Sequence, residues 1–193
     1  MDHFDLLAPW YDRLVHPPTD GRLALLLDLE GSERVLDAAG GTGRIAQTLT
    51  SSSRQVVVAD GSLRMLSGTR DKSCLLAVGA LAERLPFCDG TFERVIMVDA
   101  LHHVAEQAGV LAELWRLVAP GGRLVVEEPD IRRFAVRVIA LAEKLALMHS
   151  HFVSAEWIAE RLSLTAASVR VLRQGNSAWV VAQRQAAASI PAV

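Results

Sequence analysis

The stretch from Val35 to Leu49, VLDAAGGTGRIAQTL, constrains the fold of this chain more than any other. Gly40, Gly41 and Gly43 stand between the apolar run Arg34 to Ala38 and a helical pattern that reaches about Ser52. A strand that turns through glycines into a helix brings bare backbone, and a helix N-terminus, against something small.

The rest of the chain extends that pattern. Gln55 to Ala59 reads as a second strand closed by Asp60, Ser62 to about Lys72 as a helix, Cys74 to Val78 as a third strand and Phe92 to Val98 as a fourth. His103 to Val118 reads as a helix, and Pro120-Gly121-Gly122 turns into a fifth strand, RLVVEE. Short apolar strands separated by helices predict an α/β domain with a mostly parallel sheet covered on both faces. Upstream, Asp2 to Val15 reads as a short helix broken by Pro17-Pro18, and Thr19 or Asp20 is placed to cap a second helix ended by Gly31. Downstream, Ile131 to His149 is a long amphipathic stretch and Ser154 to Leu162 a short helix. Ala167 to Leu172 and Ala178 to Ala182, joined around Gly175-Asn176, read as an antiparallel hairpin.

Composition narrows the class. At 193 residues and 51% apolar, the chain suits one domain with a real core, spanning 1–185 before a frayed tail at 186–193. A net charge of −2 gives no footprint for a nucleic-acid partner. Neither a signal peptide nor an apolar run of membrane-spanning length is visible, so no stable membrane insertion is expected, with peripheral contact left open. With two cysteines there is no disulfide framework, so a cytoplasmic setting is expected; Cys74, opening an apolar run, reads as a core residue. No metal is called for, and the chain reads as a monomer or homodimer.

Three ligands compete for the glycine turn. A triphosphate loop needs Lys-Ser/Thr after the last glycine, where Arg44-Ile45 stands. A dinucleotide fingerprint needs glycines at the first and sixth positions, where Ala39 and Arg44 stand. The third is a nucleoside carrying an amino-acid tail. Asp60, at the end of the second strand, suits ribose hydroxyls in either of the last two. Asp37, inside an apolar strand, is costly unless paired, and a cationic ligand would pair it while a pyrophosphate would be repelled. Backbone N–H groups of the turn are the other partner for it.

Five segments in order resemble the class I S-adenosylmethionine-dependent methyltransferases, nearest the ubiquinone/menaquinone-biosynthesis C-methyltransferases. They are FDLLAPWYDRLV, VLDAAGGTG, VVVADGSLRML, AERLPFCDGTFERVIMVDALHHV and LWRLVAPGGRLVVEEPD. The resemblance implies a Rossmann-like three-layer sandwich with a seven-stranded sheet in order 3-2-1-4-5-7-6. It also implies cover helices at 1–31 and 130–165. It implies S-adenosylmethionine as cofactor, bound by Tyr11, Asp37, Ala39, Gly40, Gly41, Gly43, Asp60, Gly61, Met65, Leu81, Ala82 and Asp99. A small organic acceptor is implied, a quinone precursor among the options. Asp99, His103 and His151 are the candidate catalytic residues.

The chain departs from that family at three positions. Ala39 replaces the usual first glycine, Gly61 stands where an apolar side chain often packs on adenine, and Leu81 stands where an acid often binds the adenine amino group. These departures keep open an inactive cofactor-binding partner protein. An NAD-dependent oxidoreductase is the remaining alternative, and it needs neither the hairpin nor Arg44.

Overall fold

The computed structural model describes residues 21–134, 136–137 and 151–187. The expected helix at 2–15 with Tyr11, the cap at Thr19 or Asp20, most of the stretch from Ile131 to His149, and the end of the tail lie outside them.

Seven strands form one sheet: β1 (Arg34–Ala38), β2 (Gln55–Asp60), β3 (Leu75–Gly79), β4 (Phe92–Val98), β5 (Val118–Pro129), β6 (Ser168–Gln174) and β7 (Ser177–Gln183). Their order is β3-β2-β1-β4-β5-β7-β6. β3, β2, β1, β4 and β5 run parallel, and β7 is antiparallel to both β5 and β6. The hairpin turns through Gly175 and Asn176 with Gly175 at φ +58°, as its sequence predicts. The resemblance's expected strand order and hairpin are thus the observed ones.

Alternation along the strands divides the core. Leu36, Val57, Val95, Met97 and Val126 face one side, under the helices α4 (Gln107–Leu117) and α5 (Ala155–Ser163). Val35, Val56, Val58, Ile96 and Val125 face the other, under α1 (Arg22–Leu27) and α2 (Arg44–Leu49). A short helix, α3 (Leu63–Leu66), follows β2 and is capped by the Ser62 hydroxyl, which accepts from Met65 N–H at 3.1 Å.

Four expectations are corrected. α1 ends at Leu27 with Asp28 in the left-handed region, short of Gly31. The helix expected from His103 starts only at Gln107, after a single 3₁₀ turn over Leu101–His103. β5 begins five residues early, at Val118, carrying Pro120-Gly121-Gly122 through a register shift against β4. Cys74 is exposed and left-handed (φ +68°), outside the core, because β3 is an edge strand with Leu76, Ala77 and Gly79 open to solvent.

Candidate cofactor-binding site

A cavity of about 520 Å³ opens where β1, β2 and β4 end, the crevice in which parallel α/β sheets hold their ligands. Its first wall is the turn after β1. Ala39 and Gly41 both have positive φ, at 54° and 56°. The turn is fixed from two directions: Gly40 N–H donates to the Ala59 carbonyl at 3.2 Å, and Gly41 N–H donates to Asp60 Oδ2 at 2.8 Å. Asp60 Oδ1 accepts from Ser62 N–H at 2.8 Å, so one carboxylate at the end of β2 joins the glycine turn to the start of α3. Gly40 has to be glycine on steric grounds, since a Cβ there would stand 2.6 Å from Asp37 Cγ and 2.9 Å from Val58 Cγ1.

Asp37 lies beneath this turn, 2% exposed, and its Oδ2 is a buried oxygen with no hydrogen-bond partner among the described residues. Burial pushes its carboxyl up to about 7; the nearby Arg44 charge and an Ala46 backbone bond oppose that rise, and Asp60 adds to it. At the end of β5, burial also raises Glu127 to about 7 against a Ser177 hydrogen bond and the Arg44 charge, with Asp99 and Glu128 pushing the same way as burial. The Glu127 carbonyl accepts from Asp99 N–H at 2.9 Å, and Asp99 turns the chain into the cavity wall at φ +53°.

Residues 36–126 match the family described as "Methyltransferase domain". That match takes in 91 of the chain's 193 residues, just under half. It is 39% identical over 128 residues to demethylmenaquinone methyltransferase of Beutenbergia cavernae, a match covering 64% of this chain and 50% of that one. The namesake in Renibacterium salmoninarum is 36% identical over 133 residues, covering 65% and 56%. The chain therefore spans about half the length of the curated relatives it matches. Among solved structures, a SAM-dependent methyltransferase from Thermotoga maritima superposes with a TM-score of 0.74 at 22% identity, covering 94% of this chain and 98% of that one. The [4+2]-cyclase SpnF does so with a TM-score of 0.74 at 16% identity, covering 95% and 94%. These two share the fold, and a cyclase among them illustrates that fold alone does not fix a reaction.

The cavity gathers most of the residues read from the sequence. Asp37, Ala39, Gly40, Gly41, Asp60, Gly61, Met65, Leu81, Ala82, Asp99 and His103 all line the cavity. Gly43 does not: it opens α2 at φ +74°, where a Cβ would strike Leu75 Cδ1 at 2.8 Å, so it serves helix-to-sheet packing. His151 is also off the cavity wall; its residue is exposed and its backbone N–H donates to the His102 carbonyl at 2.7 Å. Tyr11 lies outside the described residues. Arg44, Ser62 and Glu83 line the cavity although sequence reasoning passed over them as site residues. Glu83 places an acid on the wall two residues beyond Leu81, where the missing one had been sought. Its signal was present in the text of the sequence, as Leu81-Ala82-Glu83.

Proposed function

We propose that this domain binds S-adenosylmethionine and transfers its methyl group to a small organic acceptor. The observation that carries the reading is the buried Oδ2 of Asp37 at the cavity, which has no hydrogen-bond partner among the described residues. A buried carboxylate oxygen without a donor is costly. A ligand bearing a cationic N–H group removes that cost, and the α-ammonium of a methionyl tail is such a group. A pyrophosphate would be repelled there, which argues against a dinucleotide.

The other roles follow from the same pose. Asp60 receives the ribose hydroxyls while holding Gly41 and Ser62 in place. Met65, Leu81 and Ala82 pack on adenine, and Gly61, with no side chain, leaves the base room. Bound S-adenosylmethionine supplies a methyl carbon made electrophilic by its sulfonium; the chain contributes position, which is most of what an in-line transfer needs. An acceptor that must lose a proton needs a base. His103, on the wall, is the group proposed to take it, with Asp99 orienting the methionyl group or the acceptor. The names of the relatives support a quinone precursor such as demethylmenaquinone as the first acceptor to test.

The experiment is calorimetric titration with S-adenosylmethionine, S-adenosylhomocysteine and NAD, on wild type and Asp60→Ala. Micromolar binding of the two sulfur ligands, lost in the variant and absent for NAD, is the expected result. Binding of neither sulfur ligand overturns the proposal.

A further inference from the structure

Glu128 follows Glu127 on β5, so its side chain points to the opposite face of the sheet. It is 2% exposed, and both of its oxygens are engaged. Oε1 accepts from Ala100 N–H at 3.1 Å and from Leu101 N–H at 2.7 Å. Oε2 accepts from His102 Nδ1 at 2.7 Å. Three donors from three successive residues thus converge on one carboxylate, and all three belong to the turn that leaves β4 for the cavity.

The His102 ring is buried with it, and its neighbours fix it on two sides. Phe152 stacks on the ring with centroids 4.5 Å apart and planes 14° apart, and the His103 ring lies 3.9 Å away, tilted by 47°. The His102 carbonyl accepts from His151 N–H, and Gln107 Nε2 donates to the Leu101 carbonyl at 3.0 Å and also to the His151 carbonyl. His102 is thus enclosed, with no place on the cavity wall, whereas His103 lines the cavity. The adjacent histidines divide the work: one is held, and the other is displayed.

We infer that Glu128 and His102 are positioning residues that set the Asp99–His103 turn and present the His103 ring to the acceptor. The part played by the acceptor rests on the methyltransferase reading; the positioning of the turn does not. A carboxylate accepts from all three when His102 carries its proton on Nδ1. A Glu128→Gln side chain keeps both amides on its oxygen only by turning its NH₂ to His102 Nδ1, which must then accept instead of donate, so the ring changes tautomer and the charge-assisted bond becomes a neutral one. The weaker tie lets the turn shift, and His103 moves with it.

The test combines two measurements on wild type, Glu128→Gln and His102→Asn. Nuclear magnetic resonance reads the Ala100 and Leu101 amide shifts and the nuclear Overhauser contacts of the His103 ring, which loss of the His102 ring current 3.9 Å away does not alter, and calorimetry reads S-adenosylhomocysteine affinity. The expected result is that both variants change the His103 Overhauser contacts, that Glu128→Gln also displaces the two amides, and that affinity falls about tenfold in a protein that is still folded. Wild-type His103 contacts in both variants, with affinity within twofold, overturn the inference. Should Glu128→Gln fail to fold, His102→Asn alone decides by the His103 Overhauser contacts. Should wild type bind no S-adenosylhomocysteine, the methyltransferase reading fails while the resonance measurement still decides the positioning.

Discussion

Leu81 fills the space beside Gly61: a Cβ built on Gly61 would stand 2.8 Å from Leu81 Cδ2. Read singly, a glycine after the acid of β2 and a leucine in place of an acid both weaken an adenine site. Together they are complementary, because the side chain missing at one position is supplied by the other. Leu81 is 65% exposed, so it has little else to pack on in the absence of a ligand. Leu81→Ala is expected to weaken S-adenosylhomocysteine binding about tenfold, the loss of roughly 1–2 kcal/mol of apolar contact. Gly61→Ala is expected to bind within about threefold of wild type, since its new methyl meets only the mobile end of a leucine. Calorimetry on the two variants checks both.

The buried carboxyl of Asp37 makes cofactor binding depend on pH. Its value of about 7 means that the group is largely protonated at pH 6 and ionised at pH 8. Only the ionised form pairs with an ammonium, so affinity for S-adenosylmethionine is expected to rise several-fold from pH 6 to pH 8, with a proton released on binding near pH 6. Stability runs the other way. The unfolded chain releases this proton near pH 4, and the folded chain holds it to about 7. Folding is therefore favoured most below pH 4 by this group, and that contribution is lost as pH rises to 7. Asp37→Asn is expected to be more stable than wild type at pH 8, by up to about 4 kcal/mol, and to bind the cofactor poorly and without pH dependence. Denaturant melts and calorimetry at three pH values test the pair of signs.

Ala39 holds a left-handed backbone, φ +54°, where its Cβ crowds the neighbouring carbonyl. A glycine there relieves that strain and costs some unfolded-chain entropy. Ala39→Gly is expected to stabilise the domain by about 1 kcal/mol, a rise in melting temperature of roughly 2–4 °C. A scanning-calorimetry trace that does not move upward counts against strain at this residue.

The parts of the fold that follow from periodicity were legible in the sequence: the strands around Val35, Val57 and Val95, the Gly175-Asn176 hairpin, and the glycine turn with Asp60 opposite it. Cys74 was misread as core because an apolar run signals a strand but not how many of its faces are covered, and β3 stands at an edge. The start of α4 was misplaced because nothing local marks where the helix after β4 begins, while Glu128, which draws the Ala100 and Leu101 amides into a tighter turn, is more than twenty residues away. For the same reason the sequence alone did not separate the two histidines. Gly43 looked like a ligand contact because glycine serves packing and binding alike, and the difference lies in Leu75, on another strand.

Gly40 and Asp37 are expected to be coupled. A methyl at Gly40 would overlap the Asp37 carboxyl, 2.6 Å from both Cγ and Oδ2, and neither the sheet below nor Val58 beside it gives way easily. Gly40→Ala alone therefore displaces the carboxyl, with an expected cost of about 1–3 kcal/mol in stability and loss of cofactor binding. Trimming the carboxyl first removes the two nearest contacts and leaves only Val58 Cγ1 at 2.9 Å, so in the Asp37→Ala background the same substitution is expected to cost less. The double-mutant cycle should return a coupling of about 1 kcal/mol or more in unfolding free energy. Additive effects would mean that the overlap is relieved elsewhere, and the orphaned Asp37 oxygen would then lose its fixed place beneath the turn.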